Sequence, residues 1–216
     1  MIKLFAHRGY HTKSIPQNSL RSIKNAFKNG FRAVEFDIWL FKNELLINHD
    51  KPNLKTLNKL NRFSEFMIYG NDIEYWLDFK NMNLKNVKKI LTLLKKDIDK
   101  ANIKYEKLYF APYITRYSNL KKIFDCITLI FSEKIKLVMV CDNSKQIKEL
   151  IKFSNSNKIN FLSIDYKLLN QKNIDLLKKL QILAWTVNDI NKIKELSKLG
   201  VKYFATDTVI PFPIFK

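Results

Sequence analysis

Hydrophobic residues along this chain follow two different spacings. Short apolar runs rich in β-branched and aromatic residues predict strands, while apolar residues three or four positions apart predict amphipathic helices. The first pattern predicts eight strands, at 2–7, 31–40, 73–79, 108–111, 135–141, 161–164, 181–187 and 201–205. A further short strand at 44–48 follows residues 41–43, which predict a hairpin turn.

Segments of helical spacing separate most of these strands. They lie at 17–29, 84–100, 118–130, 144–153, 171–180 and 190–199, and the polar stretch after residue 50 predicts one short helix near 54–61. Regular alternation of strand and helix favours a parallel sheet. Eight such units in 216 residues predict an α/β fold, a (β/α)8 TIM barrel in a single domain spanning 1–216.

Composition narrows the range of functions. The chain has only four glycines and no glycine-rich phosphate loop, which excludes P-loop and dinucleotide-binding folds. Two cysteines without metal-ligand spacing predict reduced thiols. No apolar run is long enough to span a membrane, and no secretory signal is recognisable, so we expect a cytoplasmic protein.

The formal net charge of +19 favours anionic partners. Nucleic-acid surfaces are usually patches or stripes of basic residues, whereas these lysines occur in every predicted helix. A coding bias that enriches lysine, asparagine and isoleucine therefore explains the charge better than a dedicated polyanion groove. We expect no specific nucleic-acid binding, while association with an anionic membrane surface stays open.

Acidic residues interrupt two predicted strands. Side chains two positions apart on a strand share a face, so Glu35 and Asp37 point to one side and their apolar neighbours to the other. In a barrel those carboxylates would point inward, where they need a bound positive charge such as Mg²⁺, Ca²⁺ or Mn²⁺. Asp78 and Lys80 also share a face, which predicts either a third ligand with a phosphate-binding cation or a lone ion pair.

Histidines lie close to these strand ends. His7 ends the first strand, and His49 follows the apolar residues of the hairpin strand. Two imidazoles near a metal suit general acid and general base catalysis. His11, in the polar loop after Gly9, is expected to be merely exposed.

Short motifs occur in a characteristic order along the chain. They are Ala-His-Arg-Gly at 6–9, Pro-Gln-Asn-Ser at 16–19, Val-Glu-Phe-Asp at 34–37, Asn-His-Asp at 48–50, Trp-Leu-Asp-Phe-Lys at 76–80, Ala-Trp-Thr-Val-Asn at 184–188 and Ala-Thr-Asp at 205–207. Each motif alone is weak. Their order and spacing together resemble the glycerophosphodiester phosphodiesterase family, TIM barrels of the phosphatidylinositol phospholipase C-like superfamily.

The resemblance implies a role for each candidate residue. It implies hydrolysis of a phosphodiester with one divalent cation, Mg²⁺ or Ca²⁺. The residues concerned are His7 and His49 for acid–base catalysis, Glu35, Asp37 and Asp78 for the metal, and Arg8, Lys80 and Trp185 for the phosphate and the pocket wall. The expected substrate is a small-molecule, lipid or glycan phosphodiester, most simply a glycerophosphodiester of lipid metabolism. The sequence does not indicate an oligomeric state.

Departures from the family pattern leave more than one function open. Gln17 replaces the usual glutamate, Asp78 is one methylene shorter than the usual glutamate, and the insertion after His49 is short. These changes favour a more open site, or a barrel that binds phosphate esters with little or no catalysis. Two further hypotheses are a barrel phospholipase that forms cyclic phosphates and a basic protein that binds an anionic surface or nucleic acid.

Overall fold

The computed structural model describes residues 2–55, 57–114, 116–132 and 134–211. Within these ranges there are ten β-strands. They are β1 (Lys3–Ala6), β2 (Ala33–Phe41), β3 (Glu44–Ile47), β4 (Asn61–Arg62), β5 (Glu74–Phe79), β6 (Leu108–Pro112), β7 (Lys136–Cys141), β8 (Phe161–Asp165), β9 (Gln181–Trp185) and β10 (Tyr203–Thr206).

Eight of these strands form a closed parallel barrel. Their order is β1-β2-β5-β6-β7-β8-β9-β10, and β10 pairs with β1 to complete the circle. The pairing of Ala6 with Val34 joins β1 to β2. The predicted (β/α)8 fold is confirmed.

Helices cover the outside of the barrel. The α-helices of the described ranges are α1 (Leu20–Lys28), α2 (Val87–Lys100), α3 (Tyr117–Phe131), α4 (Gln146–Asn157), α5 (Gln171–Leu177) and α6 (Ile190–Lys198). The apolar face of α2 shows why they pack there, because Ile90, Leu91, Leu94 and Ile98 are all buried. None of the helices in the described part of the chain is long and apolar enough to cross a membrane.

Alternation along the strands divides the core into two layers. Val34, Phe36 and Ile38 on β2 belong to the large cluster between barrel and helices. Phe5 and Trp76 belong to a smaller cluster inside the barrel, where their rings meet edge to face at 5.7 Å. Alternate residues of each strand therefore point into the barrel, as the sequence predicted.

The amino-terminal end of the barrel is closed by a polar network. The Lys3 ammonium donates to both Glu74 oxygens, at 2.7 and 2.8 Å, and the Tyr109 hydroxyl donates to Glu74 at 2.7 Å. Burial opposes ionisation of Glu74, but these hydrogen bonds outweigh it and hold the pKa of Glu74 below its ordinary value. The polar side chains at this end of the barrel are hydrogen-bonded to one another, so we expect the functional site at the opposite end.

The hairpin after β2 is confirmed, and the short helix near 54–61 is confirmed only as a 3₁₀ helix. β3 pairs antiparallel with β2, and Lys42 and Asn43 between them both have positive φ, as a tight two-residue hairpin requires. Of the stretch 54–61, only Leu57–Lys59 forms a single 3₁₀ turn, and Thr56 lies outside the described residues. The segment is short and Leu54 stays 63% exposed, so it lacks the packing that stabilises a longer helix.

Candidate active site

Three carboxylates converge at the carboxyl end of the barrel. Glu35 and Asp37 lie on β2, and Asp37 is the register partner of Asp78 on the neighbouring strand β5. One oxygen from each carboxylate lies within 4.8 Å of the other two. All three side chains therefore point inward, as the strand periodicity predicted.

Mutual repulsion and burial disfavour full ionisation of this cluster. Burial, followed by repulsion from Asp37 and Asp78, raises the pKa of Glu35 well above its ordinary value. Burial also raises the pKa of Asp78, and its Oδ1 is buried with no hydrogen-bond partner among the described residues. Buried oxygens normally have partners. A hard divalent cation fits this donor set, because carboxylate oxygens are its preferred ligands.

Two cationic side chains border the carboxylates. Lys80 Nζ lies 2.7 Å from both Asp37 Oδ1 and Asp78 Oδ2, so the lone Asp78–Lys80 pair considered from the sequence is in fact a three-residue bridge. These carboxylates raise the pKa of Lys80 despite its burial. Arg8 places its Nε 3.2 Å from Asp37 Oδ2, and its backbone N–H donates to Glu35 at 2.9 Å.

The loop between β1 and α1 orients these groups. Gly9 has φ +72°, and a Cβ there would lie 2.3 Å from Ser22 Oγ, so only glycine fits the turn. The loop returns Asn18 to the site, where its Nδ2 donates to Asp37 Oδ2 at 2.7 Å and its Oδ1 accepts from the Asp37 N–H at 3.3 Å. Gln17 accepts from Arg8 Nη1 at 2.9 Å, so it orients the guanidinium.

His7 is held by a carboxylate from the far end of the chain. Its Nδ1 lies 2.8 Å from Asp207 Oδ1, and its Nε2 faces Glu35 at 3.8 Å. Asn188 Nδ2 donates to the other Asp207 oxygen at 2.9 Å. Burial opposes the charge, but the hydrogen bonds from His7, Asn188 and His11 outweigh it and lower the pKa of Asp207 far below its ordinary value. Asp207 is thus an ionised acceptor beside His7.

The expectation that His11 is merely exposed is wrong. Its Nε2 lies 3.0 Å from Asp207 Oδ1, and its side chain is only 27% exposed. The sequence did not show this contact because it joins positions 196 residues apart. His49 is held less firmly: its side chain is 43% exposed, and its Nδ1 contacts the exposed carboxylate of Asp50 at 2.8 Å.

The predicted site residues line a common cavity of about 200 Å³. All eight line it: His7, Arg8, Glu35, Asp37, His49, Asp78, Lys80 and Trp185. The opposite wall includes Tyr113, whose hydroxyl donates to Asp142 at 2.5 Å. A larger groove, about 700 Å³, lies between α3 and α4 and contains none of the eight.

Sequence reasoning missed two residues that support the site. Asp207 lies one position beyond β10, the same place that His7 occupies after β1, so the rule applied to the other strand ends could have found it. Asn18 lies within the Pro-Gln-Asn-Ser motif, but only its returning loop, in which Asn18 has φ +51°, shows that it contacts Asp37.

The protein is a TIM-barrel enzyme by its architecture and by the position of its site. Active sites on this fold lie at the carboxyl end of the strands, where these carboxylates, imidazoles and cationic side chains meet. The model of the Glycerophosphoryl diester phosphodiesterase family matches residues 7–176. The chain belongs to this family and is a phosphodiesterase. No curated protein sequence matches it.

Solved structures share the fold at low sequence identity. A glycerophosphoryl diester phosphodiesterase described from Silicibacter pomeroyi aligns with a TM-score of 0.76 and 12% identity, covering 96% of this chain and 90% of that one. A glycerophosphodiester phosphodiesterase from Parabacteroides distasonis aligns with a TM-score of 0.74 and 19% identity, covering 95% of this chain and 92% of that one. An Oleispira antarctica phosphodiesterase was solved in complex with the product sn-glycerol-3-phosphate. It aligns with a TM-score of 0.73 and 17% identity, covering 95% of this chain and 92% of that one.

Proposed function

We propose that this phosphodiesterase hydrolyses a glycerophosphodiester to glycerol 3-phosphate and an alcohol, with one divalent cation and two histidines. The observation that carries the proposal is the convergence of two buried carboxylates and the partly buried Asp78 within 4.8 Å, beside the imidazole of His7. Such a cluster is costly in the absence of bound positive charge. The reaction at a phosphodiester needs the same positive charge, because negative charge grows on the phosphoryl oxygens.

Glu35, Asp37 and Asp78 are the proposed cation ligands. The cation, Mg²⁺ or Ca²⁺, would supply Lewis-acid polarisation of a phosphoryl oxygen. Asn18 supports this role, since its Nδ2 donates to the Asp37 carboxylate while its Oδ1 accepts from the Asp37 backbone N–H. The shorter side chain of Asp78 is compatible with the role, because its oxygen already lies within 4.8 Å of an oxygen from each of the other two carboxylates.

His7 is the proposed general base. Asp207 is ionised and can only accept hydrogen bonds, so the proton of neutral His7 sits on Nδ1 and leaves the Nε2 lone pair facing the cavity. As His7 takes a proton, Asp207 stabilises the imidazolium charge. His49, on the rim of the same cavity, is the proposed acid that protonates the departing alcohol.

Arg8 and Lys80 are the proposed phosphate ligands. An ammonium has three N–H donors, and Lys80 gives two of them to Asp37 and Asp78, so one remains for a phosphate oxygen. Arg8 directs Nη1 to Gln17, which leaves Nη2 for the substrate, and its buried Nε lies 3.2 Å from Asp37 Oδ2 without a hydrogen-bond partner among the described residues. Trp185 forms an apolar wall against the alcohol.

The size of the cavity favours a small substrate. About 200 Å³ accommodates the glycerol phosphate portion of a diester but not a long alcohol, which would extend past the half-exposed His49. The product bound to the Oleispira antarctica relative supports this substrate class. A lipid or glycan diester would leave its larger group outside the cavity. The net charge of +19 would then favour binding of the protein to an anionic membrane surface that contains such a lipid. A cytoplasmic location and a role in lipid metabolism belong to this proposal.

A substrate screen with matched variants tests the proposal. Glycerophosphocholine and an aryl phosphodiester are incubated with the wild type plus Mg²⁺ or Ca²⁺, with excess chelator, and with Glu35→Gln and His7→Gln. We expect release of sn-glycerol 3-phosphate from glycerophosphocholine only by the metal-loaded wild type. Turnover that survives chelator would refute the metal role, and metal binding with no turnover of either diester would identify an inactive barrel. A cyclic phosphate as the final product would identify a phospholipase-type reaction instead.

A further inference from the structure

One carboxylate oxygen in this site serves two imidazoles. Asp207 Oδ1 lies 2.8 Å from His7 Nδ1 and 3.0 Å from His11 Nε2. Both distances are within hydrogen-bonding range. Because the acceptor is ionised, both facing nitrogens carry hydrogen, so neutral His11 has its proton on Nε2.

The other side of Asp207 is fixed by Asn188. The Asn188 carboxamide donates to Asp207 Oδ2 at 2.9 Å and accepts from the Asp207 backbone N–H at 2.7 Å. Oδ2 is therefore anchored to the β9–α6 loop, and Oδ1 depends on the two imidazoles. The Asp207 side chain is 24% exposed, so water competes for any acceptor position that loses its donor.

The backbone around His11 is itself anchored. The Tyr10 N–H donates to the Ser22 carbonyl at 2.9 Å, and the Tyr10 carbonyl accepts from Asn25 at 2.8 Å. On the other side, Thr12 and Ile15 form a two-way bridge at 3.0 and 3.2 Å. His11 thus projects from a loop that is tied down on both sides, as a residue that positions another side chain should be.

His11 does not line the cavity that contains the proposed catalytic residues. Its direct side-chain contact with the site is through Asp207, which in turn contacts His7. We propose that His11 is a positioning residue: its Nε2–H holds Asp207 Oδ1 in place, so that the carboxylate keeps His7 in the tautomer with Nε2 free. The effect on turnover rests on the proposed function, whereas the effect on the tautomer does not.

Two substitutions separate a positioning role from a structural one. His11→Ala removes the donor, and His11→Gln keeps an N–H donor at a similar reach. Lys13→Ala, in the same loop and exposed, is the control. With an aryl phosphodiester and metal, we expect His11→Ala to lower kcat about tenfold, because a misplaced His7 transfers protons less well. KM should change little, because phosphate binding is assigned to Arg8 rather than to His7. His11→Gln should restore kcat to within about twofold of the wild type, and Lys13→Ala should match the wild type.

The second readout is the tautomer of His7, measured at pH 8 from long-range ¹H–¹⁵N couplings and assigned with His7→Gln. We expect the Nδ1–H form alone in the wild type and in His11→Gln, and a mixture of tautomers in His11→Ala. An unchanged tautomer in a folded His11→Ala variant overturns the proposal, whereas a mixture of tautomers with an unchanged kcat supports the positioning of His7 and overturns its role as the base. If the wild type cleaves no diester, the proposed function fails, and the tautomer comparison still decides the role of His11.

Discussion

Glu35→Gln should make the metal-free protein more stable. The variant keeps the shape of a buried side chain and removes one negative charge from a cluster whose ligand oxygens lie within 4.8 Å of one another. At that separation, and at an effective dielectric constant of about 20, each like-charge pair costs about 3 kcal/mol. Glu35 forms two such pairs, with Asp37 and with Asp78.

Part of this repulsion is already relieved in the wild type. Lys80 attracts the cluster, the Arg8 N–H bonds to Glu35, and the raised pKa of Glu35 allows it to take up a proton. We therefore expect a net gain of about 1–3 kcal/mol in the free energy of unfolding for Glu35→Gln in chelator. For a chain of this size, each kcal/mol raises Tm by about 2–4 °C.

Added metal should reverse the order of stability. A cation at about 1,000 times its Kd stabilises the wild type by about 4.1 kcal/mol, which exceeds the expected advantage of the variant, and the variant, which has lost one ligand, should gain much less. The assay is thermal unfolding at pH 7.5 in chelator and in Mg²⁺ or Ca²⁺. Glu195→Gln, which breaks an exposed pair with Lys192, should change stability by less than about 1 kcal/mol in both conditions. A Glu35→Gln variant less stable than the wild type in chelator, with the same response to metal, would refute the reasoning.

Three further predictions concern the rest of the barrel. Glu74→Gln should lower the free energy of unfolding at pH 7 by about 1–2 kcal/mol, because it weakens the pair with the partly exposed Lys3. Since the folded-state pKa of Glu74 is lowered, this difference should be present above the unfolded pKa of about 4.3 and should disappear in denaturant titrations as pH falls through the folded value. Gly9→Ala should destabilise by more than about 1 kcal/mol in the same titrations, since its Cβ would overlap Ser22 at positive φ. Asp207→Asn should lower kcat at least about 100-fold and should also lower Tm, because the hydrogen bonds that hold down the pKa of Asp207 stabilise the fold at neutral pH; a kcat equal to that of the wild type would exclude its role.

The sequence predicted the features of the site that depend on strand periodicity. The two-residue spacing placed Glu35 with Asp37, and Asp78 with Lys80, on the inner face of the barrel. Parallel pairing then brought the two strands into register. These positions follow from a repeating backbone geometry, so a local pattern was sufficient to find them.

The missed contacts depend on loops rather than on strands. The bond between His11 and Asp207 needs a turn at Gly9 and a chain that closes the barrel 196 residues after His11. The start of α2 was misplaced for a related reason: the Asn83 N–H bonds to the Asn86 side chain, which forms a turn before the helix begins at Val87. Hydrogen bonds from asparagine side chains to the backbone compete with helix formation at residues 83–86, and the spacing of hydrophobic residues gives no sign of them.

Diffraction from crystals soaked in Mn²⁺, which takes the same oxygen ligands and scatters anomalously, tests the central claim most directly. We expect one anomalous peak about 2.0–2.5 Å from oxygens of Glu35, Asp37 and Asp78, and no peak there in Glu35→Gln crystals. A wild-type crystal that binds Mn²⁺ elsewhere, with Lys80 still bridging Asp37 and Asp78, would contradict it.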